Sequence, residues 1–249
     1  MAVLQSIVDS ITPEYHTDPH LPEKETVAEQ DSLRILIGIL GISLPFILWI
    51  GLWITSGYTH TLESLSHYYY TRVNPFFSVT IGILAIVLIL YKGGKKIDFI
   101  LSTLAGIFAL CVIFFPTNNL STTCCNPEYL YSITFINPED IYSTFHFLSA
   151  GIFLISLAIM SLFRFPMDNS SNEHPTPRDK FLYRAAGVVM LIAMLVIAMG
   201  KWDILFDQKY FHAPYSGTFW GEVIAVWAFG YSWLLKAGFF TKTYQLLVQ

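Results

Sequence analysis

The chain has 249 residues, 54% of them hydrophobic and 13% charged, with a net charge of -4 and a mean hydropathy of +0.52. Soluble domains use about 25% charged residues, so this composition excludes an ordinary water-soluble globule. The small, dispersed net charge offers no basic footprint and excludes nucleic acid as an implied partner.

Residues 1–32 do not read as a secretory signal, because no basic segment precedes an apolar core and the first long apolar run starts at Leu33. Val3, Leu4, Ile7, Val8 and Ile11 fall at helical spacing, so residues 2–11 predict a short amphipathic helix, packed under the bundle or frayed. It lacks Lys and Arg, which removes electrostatic attachment to anionic lipid. Residues 12–31, with three prolines and several acids, read as an extended solvated segment.

Six apolar stretches follow, at 33–54, 75–91, 97–115, 144–165, 183–200 and 217–240. A bilayer-crossing helix needs about 20 apolar residues, so the fold class is all-α: a polytopic transmembrane helical bundle of six spans filling 33–240, with a tail at 241–249. Pro45 should kink the first span, leaving a carbonyl for a neighbouring helix or water to satisfy. The second span is short, and KGGKK after it predicts a tight turn. Gly82, Gly106 and Gly187 would permit close approach of helices. No soluble domain and no internal repeat stands out.

Charge sets the orientation. Lys24, Arg34, Lys92, Lys95, Lys96, Arg164, Arg178, Lys180, Arg184, Lys236 and Lys242 share one side, eleven of the fourteen basic residues, leaving Arg72, Lys201 and Lys209 for the other. The positive-inside rule puts both termini in the cytoplasm.

This topology gathers ionisable residues at the outer face. Glu63 and His67 lie in the first outer loop, His146 opens the fourth span, Asp203, Asp207 and His212 lie in the third outer loop, and Glu222 opens the sixth span. Each has a structural explanation. Glu63 and His67, four apart, would pair on one helical turn. His60 would be solvated. His146 shares its face with Ser149 and Ala150, which suits a helix contact. Glu222 would be favoured by its own helix dipole. As a group, intramembrane ionisable residues mark sites, which makes Glu63, His67, His146 and Glu222 candidate pocket or catalytic residues. His67, His146 and Glu222 would suit a Zn-like divalent metal that activates a water, although no HExxH is present. Headgroup binding or proton shuttling without chemistry fits the same residues. A serine nucleophile is not supported, since there is no GxSxG and Ser66 beside His67 is a common coincidence.

Tyr68, Tyr69, Tyr70, Trp202, Tyr210 and Trp220 predict an outer aromatic belt, or the lining of a headgroup site. Cys124 and Cys125 are adjacent in a loop without Lys or Arg. Neighbouring Cα atoms stand about 3.8 Å apart, so a bond between them would be strained. A labile bond, a soft-metal contact, cross-links to a partner or second copy, and inert thiols all remain open. Cys111, inside the third span, reads as an inert core residue.

LESLSHYYYT (62–71), FFPT (114–117), HFLSAGIF (146–153) and FWGEVIAVWAFGYSWLLKAG (219–238) together resemble a group of bacterial six-span integral membrane proteins without an assigned activity. More loosely, the FP-then-His order is similar to DRAM/Frag-like six-span membrane proteins. The closer likeness implies a bacterial inner membrane location, and the looser one implies lipid-related or regulatory roles. The expected function is a multi-pass protein whose outer polar pocket binds, and could modify, a membrane lipid or small amphiphile. A transporter or channel subunit, or a non-catalytic scaffold acting through the Cys124–Cys125 loop, are the alternatives.

Overall fold

The computed structural model describes residues 23–119, 132–134, 139–167, 175–201, 204, 210, 216–241 and 243. The expected helix at 2–11, Cys124, Cys125, Trp202, Asp203, Asp207 and His212 lie outside the described residues.

Six long helices account for most of the described chain: α1 (Glu23–Ser56), α2 (Asn74–Leu90), α3 (Lys96–Phe114), α4 (Asp140–Ile159), α5 (Pro177–Lys201) and α6 (Gly217–Lys236). Each contains all or most of one of the six apolar stretches, the fourth of which runs on past Ile159. Four helical segments, Glu29–Ser56, Lys96–Phe114, Asp140–Met167 and Pro177–Gly200, are long and apolar enough to cross a membrane. The apolar α2 has only 17 residues, about 25 Å at 1.5 Å per residue. In α6 the aromatic residues and Glu222 dilute the aliphatic content. Trp53, Phe76, Val79, Ile86, Leu90, Leu148, Ile192, Leu195 and Ile224 are exposed on the outside of the bundle. In water so much apolar surface would drive association; this is the surface of an integral membrane protein.

The helices pack as a closed ring. Each touches its neighbours in chain order, and α6 returns to pack on α1. Close approach at the closing seam depends on glycine. A Cβ on Gly38 would stand 2.9 Å from the Gly230 carbonyl, and one on Gly230 would stand 2.8 Å from the Gly38 carbonyl. Gly106 likewise presses on α2, with its would-be Cβ 2.6 Å from the Ala85 carbonyl. Gly82 does not play the part expected of it, since the nearest atom to a Cβ there is Ile113 Cδ1 at 4.0 Å.

One further expectation is corrected. Residues 23–31 are helical rather than extended, because EKETVAEQD carries helix formers and no proline once Pro22 is passed. A proline just ahead of the first turn costs the helix no hydrogen bond. Pro45 sits within a continuous α1. Its ring leaves the Gly41 carbonyl without a partner N–H, and at the next carbonyl Trp227 Nε1 of α6 donates to Ile42 O at 3.2 Å. A neighbouring helix therefore supplies a donor where the proline disturbs the ladder.

One end of the ring is held by ion pairs. Arg164 Nε donates to Asp98 Oδ1 at 2.5 Å, and Asp98 Oδ2 accepts the Lys95 backbone N–H at 2.9 Å at the start of α3. Arg164 is brought there by a π-helical segment, Met160–Arg164, that widens the end of α4. Arg34, fully buried, donates to Asp31 at 2.8 Å and to the Tyr91 hydroxyl at 3.1 Å. This is the end where the basic residues gather. At the opposite end the loop 57–73 folds inward and closes the ring.

Candidate functional site

The closing loop carries a short 3-10 helix, Leu65–Tyr70. Its apolar side chains turn into the bundle: Leu65, Tyr68 and Tyr70 are buried, and Tyr68 packs on Phe219 of α6 with ring centroids 6.2 Å apart. Tyr68 and Tyr70 are thus not part of an outer belt. Trp220 and Tyr210 are exposed, in keeping with one. The hydroxyl of Tyr70 donates to the Thr117 carbonyl. Burial raises its pKa above the ordinary tyrosine value, and the neighbouring Tyr69 raises it further. From the segment between α3 and α4, Ile133 N–H and Ser132 Oγ both donate to the Tyr70 carbonyl, at 2.9 and 3.0 Å.

The turn that opens this helix, Glu63–His67, is where the ionisable residues converge. Ser64 Oγ lies 2.8 Å from His67 Nδ1, and His67 Nε2 lies 4.0 Å from Glu63 Oε2, the i,i+4 pair expected from spacing. Glu222 of α6 reaches across to accept the Leu65 backbone N–H at Oε2, at 2.6 Å. The loop N–H thereby gains a charge-capable acceptor in an apolar setting, where it would otherwise cost about 1–3 kcal/mol.

His146 of α4 is buried and bonded at both ring nitrogens. Nδ1 stands 2.7 Å from the Phe115 carbonyl and 3.2 Å from the Val112 carbonyl, and Nε2 stands 2.8 Å from Ser66 Oγ. A carbonyl only accepts, so Nδ1 carries the proton. Nε2 of the neutral ring is then the acceptor, and Ser66 donates to it. Ser66 is therefore joined to His146 of α4 rather than to its sequence neighbour His67, which takes Ser64 instead. The sequence reading missed this pair because the partners are 80 residues apart. Only the topology, which puts the start of α4 beneath the loop between α1 and α2, could have signalled it.

Beneath the turn lies a cavity of about 70 Å³, several times the roughly 10–15 Å³ that one water needs. Ser66 and Glu222 line its polar end. Below them the wall is apolar, with Phe77, Ile81 and Leu84 from α2, Phe153 and Leu154 from α4, and Phe229 from α6. Of the four candidate residues, Glu222 lines the cavity directly. His146 stands behind Ser66, and Glu63 and His67 hold the turn beside it. Among the described residues no three His, Cys, Asp or Glu side chains group as metal ligands.

Comparison of the chain with models of known protein families, with curated proteins and with solved structures finds no match.

Proposed function

We propose that the chain crosses the membrane six times with both termini in the cytoplasm, in a bacterial inner membrane, and binds a lipid or small amphiphile at its outer end. The shape and chemistry of the cavity carry the reading. Two polar side chains, Ser66 and Glu222, sit at one end of a wall that is otherwise apolar. Ligand sites combine mostly apolar lining with a few convergent polar groups. An amphiphile would place its polar part at Ser66 and Glu222 and an acyl segment against Phe77, Ile81, Phe153 and Phe229. From Glu222 to Phe229 the wall runs seven residues along α6, about 10 Å of helix.

The orientation is supported by the basic residues at the Arg34 and Arg164 end. A transporter reading is less favoured. Between the cavity and that charged end lie Leu88, Leu157, Met160 and Trp233, all fully buried and apolar in their packing.

The test uses the full chain in lipid nanodiscs with a phospholipid bearing a diazirine on its acyl chain. Crosslinks are expected on the inward residues Phe77, Ile81 and Phe153, and Ala150→Phe, which fills the cavity, should remove them. Crosslinks confined to outward residues such as Phe76 and Val79, or unchanged in Ala150→Phe, would overturn the reading.

A further inference from the structure

We propose that Ser66 is a nucleophile, activated by His146, and that the cavity hydrolyses an acyl ester of the amphiphile it holds. The proposal rests on the binding reading above. A serine hydroxyl becomes nucleophilic when a base within hydrogen-bond reach can take its proton and a third group fixes the base. All three parts are present: Ser66 on the cavity wall, His146 Nε2 at 2.8 Å from its Oγ, and the Phe115 carbonyl at 2.7 Å from Nδ1. The carbonyl bond fixes the tautomer that leaves Nε2 free to accept. It also remains in place as an acceptor when the ring becomes an imidazolium.

Ser64 pairs with the imidazole of its own turn, His67 Nδ1 at 2.8 Å, and two buried serines of α4 make no imidazole bond. Ser149 and Ser156 donate to carbonyls of their own helix, Phe145 at 2.7 Å and Ile152 at 2.8 Å. Ser66 gives its proton to an imidazole from another helix. Ser66 also lines the polar end of the cavity wall, where an ester linking a polar head to an acyl chain would rest.

The reaction balances with water as co-reactant. Ser66 Oγ bonds to the ester carbonyl carbon as His146 Nε2 takes the hydroxyl proton. The tetrahedral species collapses, the bond from carbon to the alcohol oxygen breaks, and His146 returns the proton to the departing alcohol. Water, deprotonated by His146, then adds to the acyl-serine, releasing a carboxylic acid and restoring the hydroxyl. Glu222, through its bond to the Leu65 N–H, is a positioning residue for the Ser66 turn.

The test incubates the full chain in nanodiscs with an alkyl fluorophosphonate. A serine oxygen displaces its fluoride, and peptide mass spectrometry locates the adduct. An adduct is expected at Ser66 and not at Ser64. His146→Gln retains hydrogen-bonding groups but cannot serve as a base, and should slow labelling at least about 100-fold. Its thermal transition is recorded to show that it is folded. A folded wild-type protein without an adduct at Ser66 would overturn the proposal, as would equal labelling of folded His146→Gln. The diazirine lipid in the same sample separates the two readings. Interior crosslinks without a Ser66 adduct leave binding standing and remove the nucleophile; loss of both removes both.

Discussion

Glu222 and Leu65 are 157 residues apart and joined by a single bond of 2.6 Å, from the backbone N–H of the loop between α1 and α2 to a carboxylate inside α6. That bond fixes the turn on which Ser66 sits. Replacing the carboxylate with Leu leaves the N–H unpaired in an apolar site, so Glu222→Leu should lower stability by about 1–3 kcal/mol. Glu222→Gln keeps an acceptor and should cost less. Thermal unfolding in detergent, compared across the three proteins, checks the order.

The Asp98–Arg164 pair at the opposite end should be more sensitive. Asp98 answers both the Arg164 guanidinium and the Lys95 N–H. Removing one member of a buried pair strands the other, at about 3–5 kcal/mol. Asp98→Ala should cost that much. A double-mutant cycle with Arg164→Met should show the second substitution recovering part of the loss.

Two glycines should respond oppositely to alanine. Gly106→Ala drives a methyl toward the Ala85 carbonyl at 2.6 Å, and overpacking of this kind costs about 1–3 kcal/mol. Gly82→Ala meets nothing closer than 4.0 Å and should gain up to about 1 kcal/mol of helix propensity. Melting temperatures of the two variants decide it.

Alkaline stability should depend on Tyr70. Its pKa is raised in the folded state by burial. The unfolded chain therefore releases the phenolic proton first, near the ordinary value of about 10. The contribution is fully present below that pH and is lost as pH rises from there toward the folded value. Tyr70→Phe should flatten the alkaline limb of the stability curve. Denaturant midpoints at pH 9 and pH 11, read against the wild type, would show it.

The proposed orientation predicts that Cys124 and Cys125 react with a membrane-impermeant maleimide added to intact spheroplasts. Reaction only after lysis would place them on the cytosolic side and reverse the topology.

The architecture was legible because hydropathy needs no partner. A run such as 97–115 declares a helix by itself, and Lys96–Phe114 is that helix within one residue at either end. The start of α1 was also written in the chain, in EKETVAEQD, but polarity obscured it. The inward fold of LSHYYY was not legible, because tyrosines suit an interface as well as a core, and only Phe219 and Thr117 decide between them. The site was half legible. Residue type flagged His146 and Glu222, whereas Ser66 is ordinary until α4 places an imidazole beside it. Gly82 and Gly106 look alike in sequence, and only the distance to α2 or α3 atoms tells them apart.

The closed ring has a bearing on biosynthesis. Because α6 seals against α1 at Gly38 and Gly230, the chamber does not exist while the first five helices are emerging from the ribosome. Until the last of them inserts, the Leu65 amide has no carboxylate and the wall at Phe229 is missing. The proposed binding chamber would thus be complete only once all six helices have assembled.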